Sequence, residues 1–120
     1  MFGNAGANVL NGGAGNDTLI GRGGTDTFVF SNLGDDDRIL DFVSGTDRID
    51  LSGLDANANI DGNQAFNFID DAAFSGSAGE LRAYVSDGVR YVAGDVNGDG
   101  ISDFTIILGN ATVQSGDFLL

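Results

Sequence analysis

The residues able to do chemistry lie in a glycine- and carboxylate-rich start. Three nine-residue units follow one another: Gly3-Asn4-Ala5-Gly6-Ala7-Asn8-Val9-Leu10-Asn11, Gly12-Gly13-Ala14-Gly15-Asn16-Asp17-Thr18-Leu19-Ile20 and Gly21-Arg22-Gly23-Gly24-Thr25-Asp26-Thr27-Phe28-Val29. Positions one and four are always Gly, position six is Asn or Asp, and position eight is a large apolar residue. A flexible linker has no reason to keep that last feature. Glycine-rich residues turn the chain, because glycine takes positive φ without strain. The next three form a short strand whose middle side chain, Leu10, Leu19 or Phe28, points inward. Two units complete one coil of a flattened solenoid, so residues eighteen apart stack: Asn8 against Asp26, and Asp17 against Asp35. Stacked carboxylates repel unless a cation lies between them. Carbonyls of the glycine turns supply further oxygens, toward the six to eight that calcium takes. The candidate ligands are therefore Asn8, Asp17, Asp26 and Asp35, with Gly12, Gly13, Ala14, Gly15, Gly21, Gly23 and Gly24 in the turns. Asp37 and Asp41, just past the repeats, join the set.

A second cation candidate is Asp95-Val96-Asn97-Gly98-Asp99-Gly100-Ile101-Ser102-Asp103. Asp95, Asn97 and Asp99 stand at positions one, three and five, Gly100 at six, the Ile101 carbonyl at seven and Asp103 at nine, which matches the start of an EF-hand loop. The acidic residue expected at position twelve is replaced by Ile106, inside a strand pattern. An Asn-Gly hairpin turn fits the same spacing, and the sequence leaves the two open. The acid pairs Asp35/Asp37 and Asp70/Asp71 have the residue types for glycoside cleavage, but adjacent acids in an acidic, glycine-rich chain are far more often solvated or metal-bound. No catalytic residue is assigned.

The composition narrows the choices. The 120 residues carry eighteen acids against five Arg, a net charge of −13, with no Cys, no His and no Pro. Oxygen-only ligands suit a hard cation, calcium or magnesium. Nucleic acid and anionic lipid are disfavoured partners for such a charge. No apolar run approaches the ~20 residues of a membrane span, so membrane insertion is not expected, and Met1-Phe2-Gly3-Asn4 does not read as a secretory leader. A 42% hydrophobic content and nine Phe argue against disorder. The abrupt opening inside a repeat reads as the C-terminal piece of a longer chain.

These elements must hold the candidate ligands. A fourth nonapeptide from Phe30 puts Asp35 at position six but Asp37 in the apolar slot, where the register breaks. Beyond it, Arg38–Phe42 and Arg48–Leu51 flank the turn Ser44-Gly45-Thr46-Asp47 as a hairpin-like pair. Further strands are expected at Ala65–Ile69, Leu81–Val85, Val89–Ala93 and Asp103–Leu108, with no helix longer than two turns. The expected fold is all-β: a parallel β-roll over residues 1–37, then mostly antiparallel, sandwich-like strands over 38–120, in one continuous domain.

The repeats resemble the RTX family, whose unit is Gly-Gly-x-Gly-x-Asp-x-apolar-x. The second unit matches throughout; the first departs at Asn4 and Asn8, the third at Arg22. Asp41–Ser52 and Phe74–Arg82 resemble the region after the repeats in serralysin-type proteins. The resemblance implies a calcium-filled roll of several ions, and a secreted, non-catalytic module joined to an upstream domain, a metalloprotease first. It also implies that Asp117-Phe118-Leu119-Leu120 is a signal for a type I secretion apparatus. Without calcium the N-terminal region would stay expanded; with it, the roll would template the later strands. The alternative is a carbohydrate-binding or adhesion module, with Phe66, Phe68, Tyr84 and Tyr91 as stacking candidates.

Overall fold

The computed structural model describes residues 3–13, 15–30, 36–54, 65–109 and 111–120. The described residues form ten short strands: β1 (Val9–Asn11), β2 (Thr18–Leu19), β3 (Thr27–Val29), β4 (Asp36–Ile39), β5 (Arg48–Asp50), β6 (Asn67–Phe68), β7 (Glu80–Ser86), β8 (Val89–Asp95), β9 (Phe104–Gly109) and β10 (Phe118–Leu119). The described residues include one turn of 3₁₀ helix, Ser115–Asp117.

Successive strands β1 to β5 alternate between two sheets, which is the coil the nonapeptides call for. One sheet runs β1-β3-β5-β10 and the other β2-β4-β9-β8-β7-β6. The first sheet is parallel throughout. In it Leu10, Phe28, Ile49 and Phe118 stand in register as one apolar column, each buried. The second carries parallel pairs β2–β4 and β4–β9, then an antiparallel meander β9-β8-β7. Its inward residues Leu81, Ala83, Val92, Phe104, Ile106 and Leu108 alternate with half-buried Arg82, Tyr84, Thr105 and Ile107. That is the period of two of a sheet with one face on a core. An Asp87-Gly88 turn, with φ of 52° and 76°, closes the β7–β8 hairpin. Gly94 leaves room for the Phe104 ring, which meets Phe66 edge-on at 5.6 Å.

The expected strands at 65–69, 81–85, 89–93 and 103–108 each overlap an observed one. The hairpin of Arg38–Phe42 with Arg48–Leu51 is not found. β4 and β5 lie in different sheets, and β5 pairs with β3 in parallel. The repeat itself is the reason. Asp37-Arg38-Ile39 and Asp47-Arg48-Ile49 keep the carboxylate two residues before the apolar one, as do Asp17-Thr18-Leu19 and Asp26-Thr27-Phe28. Ile39 and Ile49 are both fully buried on the existing core. Each such burial stabilises by about 1.5–3 kcal/mol, more than a two-stranded hairpin could offer.

Only the connecting turns grow. Val9 faces Thr27, eighteen residues on; Thr18 faces Arg38, twenty on; Thr27 faces Arg48, twenty-one on. The register of the fourth unit is thus shifted rather than broken. Asp37 takes the carboxylate position, accepting the Asp17 amide. Asp35 and Ala14 lie outside the described residues.

Candidate metal sites in the roll

Position one of each repeat is glycine for a local reason. A Cβ on Gly12 would lie 2.6 Å from Asp17 Oδ2, and one on Gly21 would overlap Asp26 Oδ2. The position-six carboxylate folds back beneath the first residue of its own turn. Gly24 approaches the next coil as closely, since a Cβ there would meet the Gly6 carbonyl at 2.7 Å and the Ala5 oxygen at 2.9 Å. Gly13, Gly15 and Gly24 have φ of 78°, 90° and 85°, and Arg22, at position two of the third unit, has φ 68°. An L-residue there is strained by roughly 1–2 kcal/mol. Its amide is held by Asp41 Oδ2 at 2.6 Å, while Asp41 Oδ1 accepts the Gly21 amide at 2.9 Å.

One hydrogen bond repeats from coil to coil. The position-six N–H donates to Oδ1 of the next carboxylate in the stack: Asn8 to Asp26 at 3.0 Å, Asp17 to Asp37 and Asp26 to Asp47, each at 2.9 Å. The structure therefore brings Asn8 and Asp26 together as expected, and adds Asp47 to that column. Asp47 was missing from the ligand candidates. Its signal was the Asp-x-apolar spacing, hidden once the turns departed from nine residues. It is buried, its Oδ2 accepts the Val43 amide at 2.9 Å, and burial pushes its carboxyl above the usual range, with Asp26 and Asp41 adding repulsion.

Two carboxylate oxygens stand apart. Asp17 Oδ2 and Asp26 Oδ2 are buried without a hydrogen-bond partner. Leaving a buried acceptor unsatisfied costs about 1–3 kcal/mol, and more when it is charged. Both oxygens lie against a glycine of their own turn, and with no His or Cys in the chain the groups able to hold a cation there are oxygens, carboxylate and backbone carbonyl. That set fits calcium. Asp17, Asp26 and the carbonyls of Gly12, Gly13, Gly15, Gly21, Gly23 and Gly24 are the groups available to hold it. Asn8 differs: its Nδ2 donates to the Gly6 carbonyl and to Asn4 Oδ1, so this first turn closes on its own amide.

The Asp95–Asp103 turn gathers its acids. Ligand oxygens of Asp95, Asp99 and Asp103 lie within 4.8 Å of one another. Asp95 is fully buried, accepting the Gly98 amide at 2.8 Å and the Gly100 amide at 2.9 Å, and Asp103 accepts the Val96 amide at 2.8 Å. Asn97 Oδ1 accepts the Asp99 amide, and Asp99 Oδ1 the Ile101 amide; the Ile101 side chain is exposed. Hairpin turn and acid cluster coincide here.

The C-terminal residues are part of the roll. Phe118 completes the apolar column, and Asp117 is buried, receiving the Ser44 hydroxyl at 2.6 Å, the Gly45 amide at 2.8 Å and the Gln114 amide at 2.9 Å. Of the proposed sugar-stacking aromatics, Phe66 is buried and Phe68 packs on Phe118 at 5.0 Å. Tyr84 and Tyr91 stack on each other at 5.4 Å, with the Arg82 guanidinium 4.1 Å from the Tyr84 ring. Asp70 and Asp71 are exposed.

A parallel roll of glycine turns and inward carboxylates defines an RTX-type β-roll module. The chain belongs to the family described as peptidase M10 serralysin C terminal, whose model matches residues 5–120. It is 38% identical over 87 residues to "Metallopeptidase AprA" of Pseudomonas marginalis, a match covering 70% of this chain and 17% of that protein. The chain thus aligns with about a sixth of that relative's length. Among solved structures it is similar to the solution structure of the AlgE6R3 subunit from the Azotobacter vinelandii mannuronan C5-epimerase. That match has a TM-score of 0.47 and 22% identity, covering 99% of this chain and 76% of the other. No helix among the described residues is long and apolar enough to cross a membrane.

Proposed function

We propose that this chain is a calcium-binding module of a type I-secreted bacterial protein, folding on extracellular calcium and supporting the export and folding of an upstream domain. The observation that carries this reading is the pair of buried, unpartnered oxygens of Asp17 and Asp26 facing glycine turns. A calcium ion supplies there the positive charge that the protein does not. The chain's own residues supply the rest: carboxylates below, carbonyls around, and a dry apolar column beside them. Sites of the extracellular class bind at about 10⁻⁴–10⁻³ M, and at ten times Kd each site adds about 1.4 kcal/mol to stability. In a calcium-poor cytosol that increment is missing, and the chain stays loose enough to thread an exporter. Asp117 and Phe118 are buried in the last rung; an exporter reading Asp117-Phe118-Leu119-Leu120 would therefore meet them only before folding. The relative's name makes a metallopeptidase the first choice for the upstream domain.

The Asp95–Asp103 turn is the second place proposed for a cation, where an ion would tighten a turn that already closes on its own amides. The glycan-binding alternative keeps one footing, a groove of about 220 Å³ lined by Arg38, Leu40, Val89, Tyr91 and Ile107. Calorimetric titration of calcium into EDTA-treated, dialysed protein tests the main reading. Binding in the sub-millimolar range, lost in the double variant Asp17→Asn/Asp26→Asn, is the expected result. No heat and no change in the far-UV spectrum would refute it.

A further inference from the structure

Arg90 occupies an unusual place for a cation. Across the β7–β8 pair Ala83 faces Val92 and Val85 faces Arg90, so all four share one side of the sheet, the side on which Ala83 and Val92 are buried in the core. The core stops short of the hairpin end: Val85 is exposed and Arg90 half-buried. The ladder is irregular at the same point. Arg90 faces Gly109 while Tyr91 faces Ile107, which leaves Leu108 as an extra residue on β9. Such a bulge bends the strand and re-aims the side chains beside it. Arg90 Nε is buried there without a hydrogen-bond partner. A guanidinium set against apolar neighbours is costly unless an anion meets it.

Arg90 lines a cleft of about 130 Å³. Phe68, Ala83 and Val113 make its apolar part, and Asp70 and Asp71 complete the lining. Those two acids stand on a turn that is fixed from several sides. The Asp70 carbonyl accepts the Ala83 amide at 2.8 Å, the Asp71 carbonyl accepts the Arg82 guanidinium at 3.3 Å, and the Ile69 carbonyl accepts the Ala72 amide at 3.2 Å. Asp70 has φ 56°, a left-handed conformation that few residues other than glycine adopt, Asp and Asn more readily than most. Among the described residues neither acid forms an ion pair with Arg90. One cation and two anions thus face a common cleft, each kept apart from the other.

The geometry points to a binding site for a free apolar α-amino acid, with its carboxylate on Arg90, its ammonium toward Asp70 and Asp71, and its side chain against Phe68, Ala83 and Val113. The charges rule against simpler ligands. A lone carboxylate gains Arg90 but meets two acids; a lone amine gains the acids but leaves the guanidinium unpaired beside it. A zwitterion satisfies both within one small molecule, and a guanidinium can grip its carboxylate with two parallel hydrogen bonds. Volume sets the size of the ligand. The cleft is well below the ~300 Å³ at which pockets for drug-sized ligands begin, so it takes a single residue and not an oligomer. None of its residues belongs to the calcium turns. The site is therefore a function beyond calcium binding and stands apart from it.

Titration of L-leucine into the whole chain at constant saturating calcium, followed by amide NMR, tests this. The amides of Asp70, Ala83, Arg90 and Val113 are expected to shift saturably. N-acetyl-L-leucine, which lacks the ammonium, and L-leucinamide, which lacks the carboxylate, should each bind at least about tenfold more weakly, the loss expected for one hydrogen bond to a charged group. Arg90→Gln and the double variant Asp70→Asn/Asp71→Asn should weaken L-leucine by a similar factor and keep the calcium affinity of the parent chain. Asn tolerates the left-handed conformation of position 70, so the second variant removes charge and not the turn. No saturable shift at these amides with L-leucine up to tens of millimolar would overturn the inference. Equal affinity for either single-charge analogue would overturn it too, by making the cleft a site for one charge only. Shifts that survive in both variants would place the ligand elsewhere, with the same consequence. In each of these cases the calcium reading still stands.

Discussion

At the scale of single residues, the roll runs on the pairing of position one with position six. Asp26 can turn its Oδ2 under Gly21 only because no Cβ is there. Gly21→Ala pushes that carboxylate out of its place and crowds the Phe28 ring, whose nearest atom would lie 3.0 Å from the new methyl. Overpacking of this kind costs about 1–3 kcal/mol. The expected outcome is a calcium affinity at least about tenfold weaker by titration, with the EDTA-state spectrum unchanged; an unaltered affinity would show that this turn holds no ion. The sequence made this pairing legible, since Gly, Asp and the apolar residue recur at fixed offsets. It did not make Asp47 or Asp117 legible as members of the stack. Asp47 closes a coil three residues longer than the eighteen the repeat predicts, and Asp117 directly precedes Phe118, without the intervening residue seen elsewhere.

At the scale of elements, a two- or three-residue strand has no stability of its own and depends on the column it joins. The column Leu10–Phe28–Ile49–Phe118 ends at Phe118, which also supports Phe68. Phe118→Ala is expected to cost about 3–5 kcal/mol, as for a large core aromatic. The loss should appear in thermal melts of the calcium-loaded protein. An unchanged melting temperature would mean that β10 adds nothing to the column. Strand positions in the second half were readable because alternation over six or seven residues is a strong signal. Strand pairing was not. Arg38–Phe42 and Arg48–Leu51 look like two arms of a hairpin across a glycine turn, and local pattern carries no information on which distant strand each joins. The Asp-x-Ile spacing of both arms held that information, and it decides for the roll.

At the scale of the whole molecule, a net charge of −13 on 120 residues opposes compaction. The folded chain has a Cα radius of gyration of 13.5 Å, close to the ~13.6 Å of a compact chain this long and far from the ~35 Å of an unfolded one. Two mechanisms could let calcium bridge that gap: general screening of like charges, or coordination at Asp17 and Asp26. They separate by ion type. Monovalent salt at 1 M shortens the screening length to about 3 Å, yet it cannot satisfy a buried oxygen that needs a divalent ligand. Magnesium carries the right charge but keeps its waters and demands near-octahedral geometry, so it replaces calcium poorly at a site of many protein oxygens. Small-angle scattering in EDTA should therefore give a radius well above the compact value. Millimolar calcium should return it to the compact value, and neither 1 M sodium chloride nor equimolar magnesium should do so. Full compaction by sodium chloride would assign the effect to screening and remove the case for specific sites.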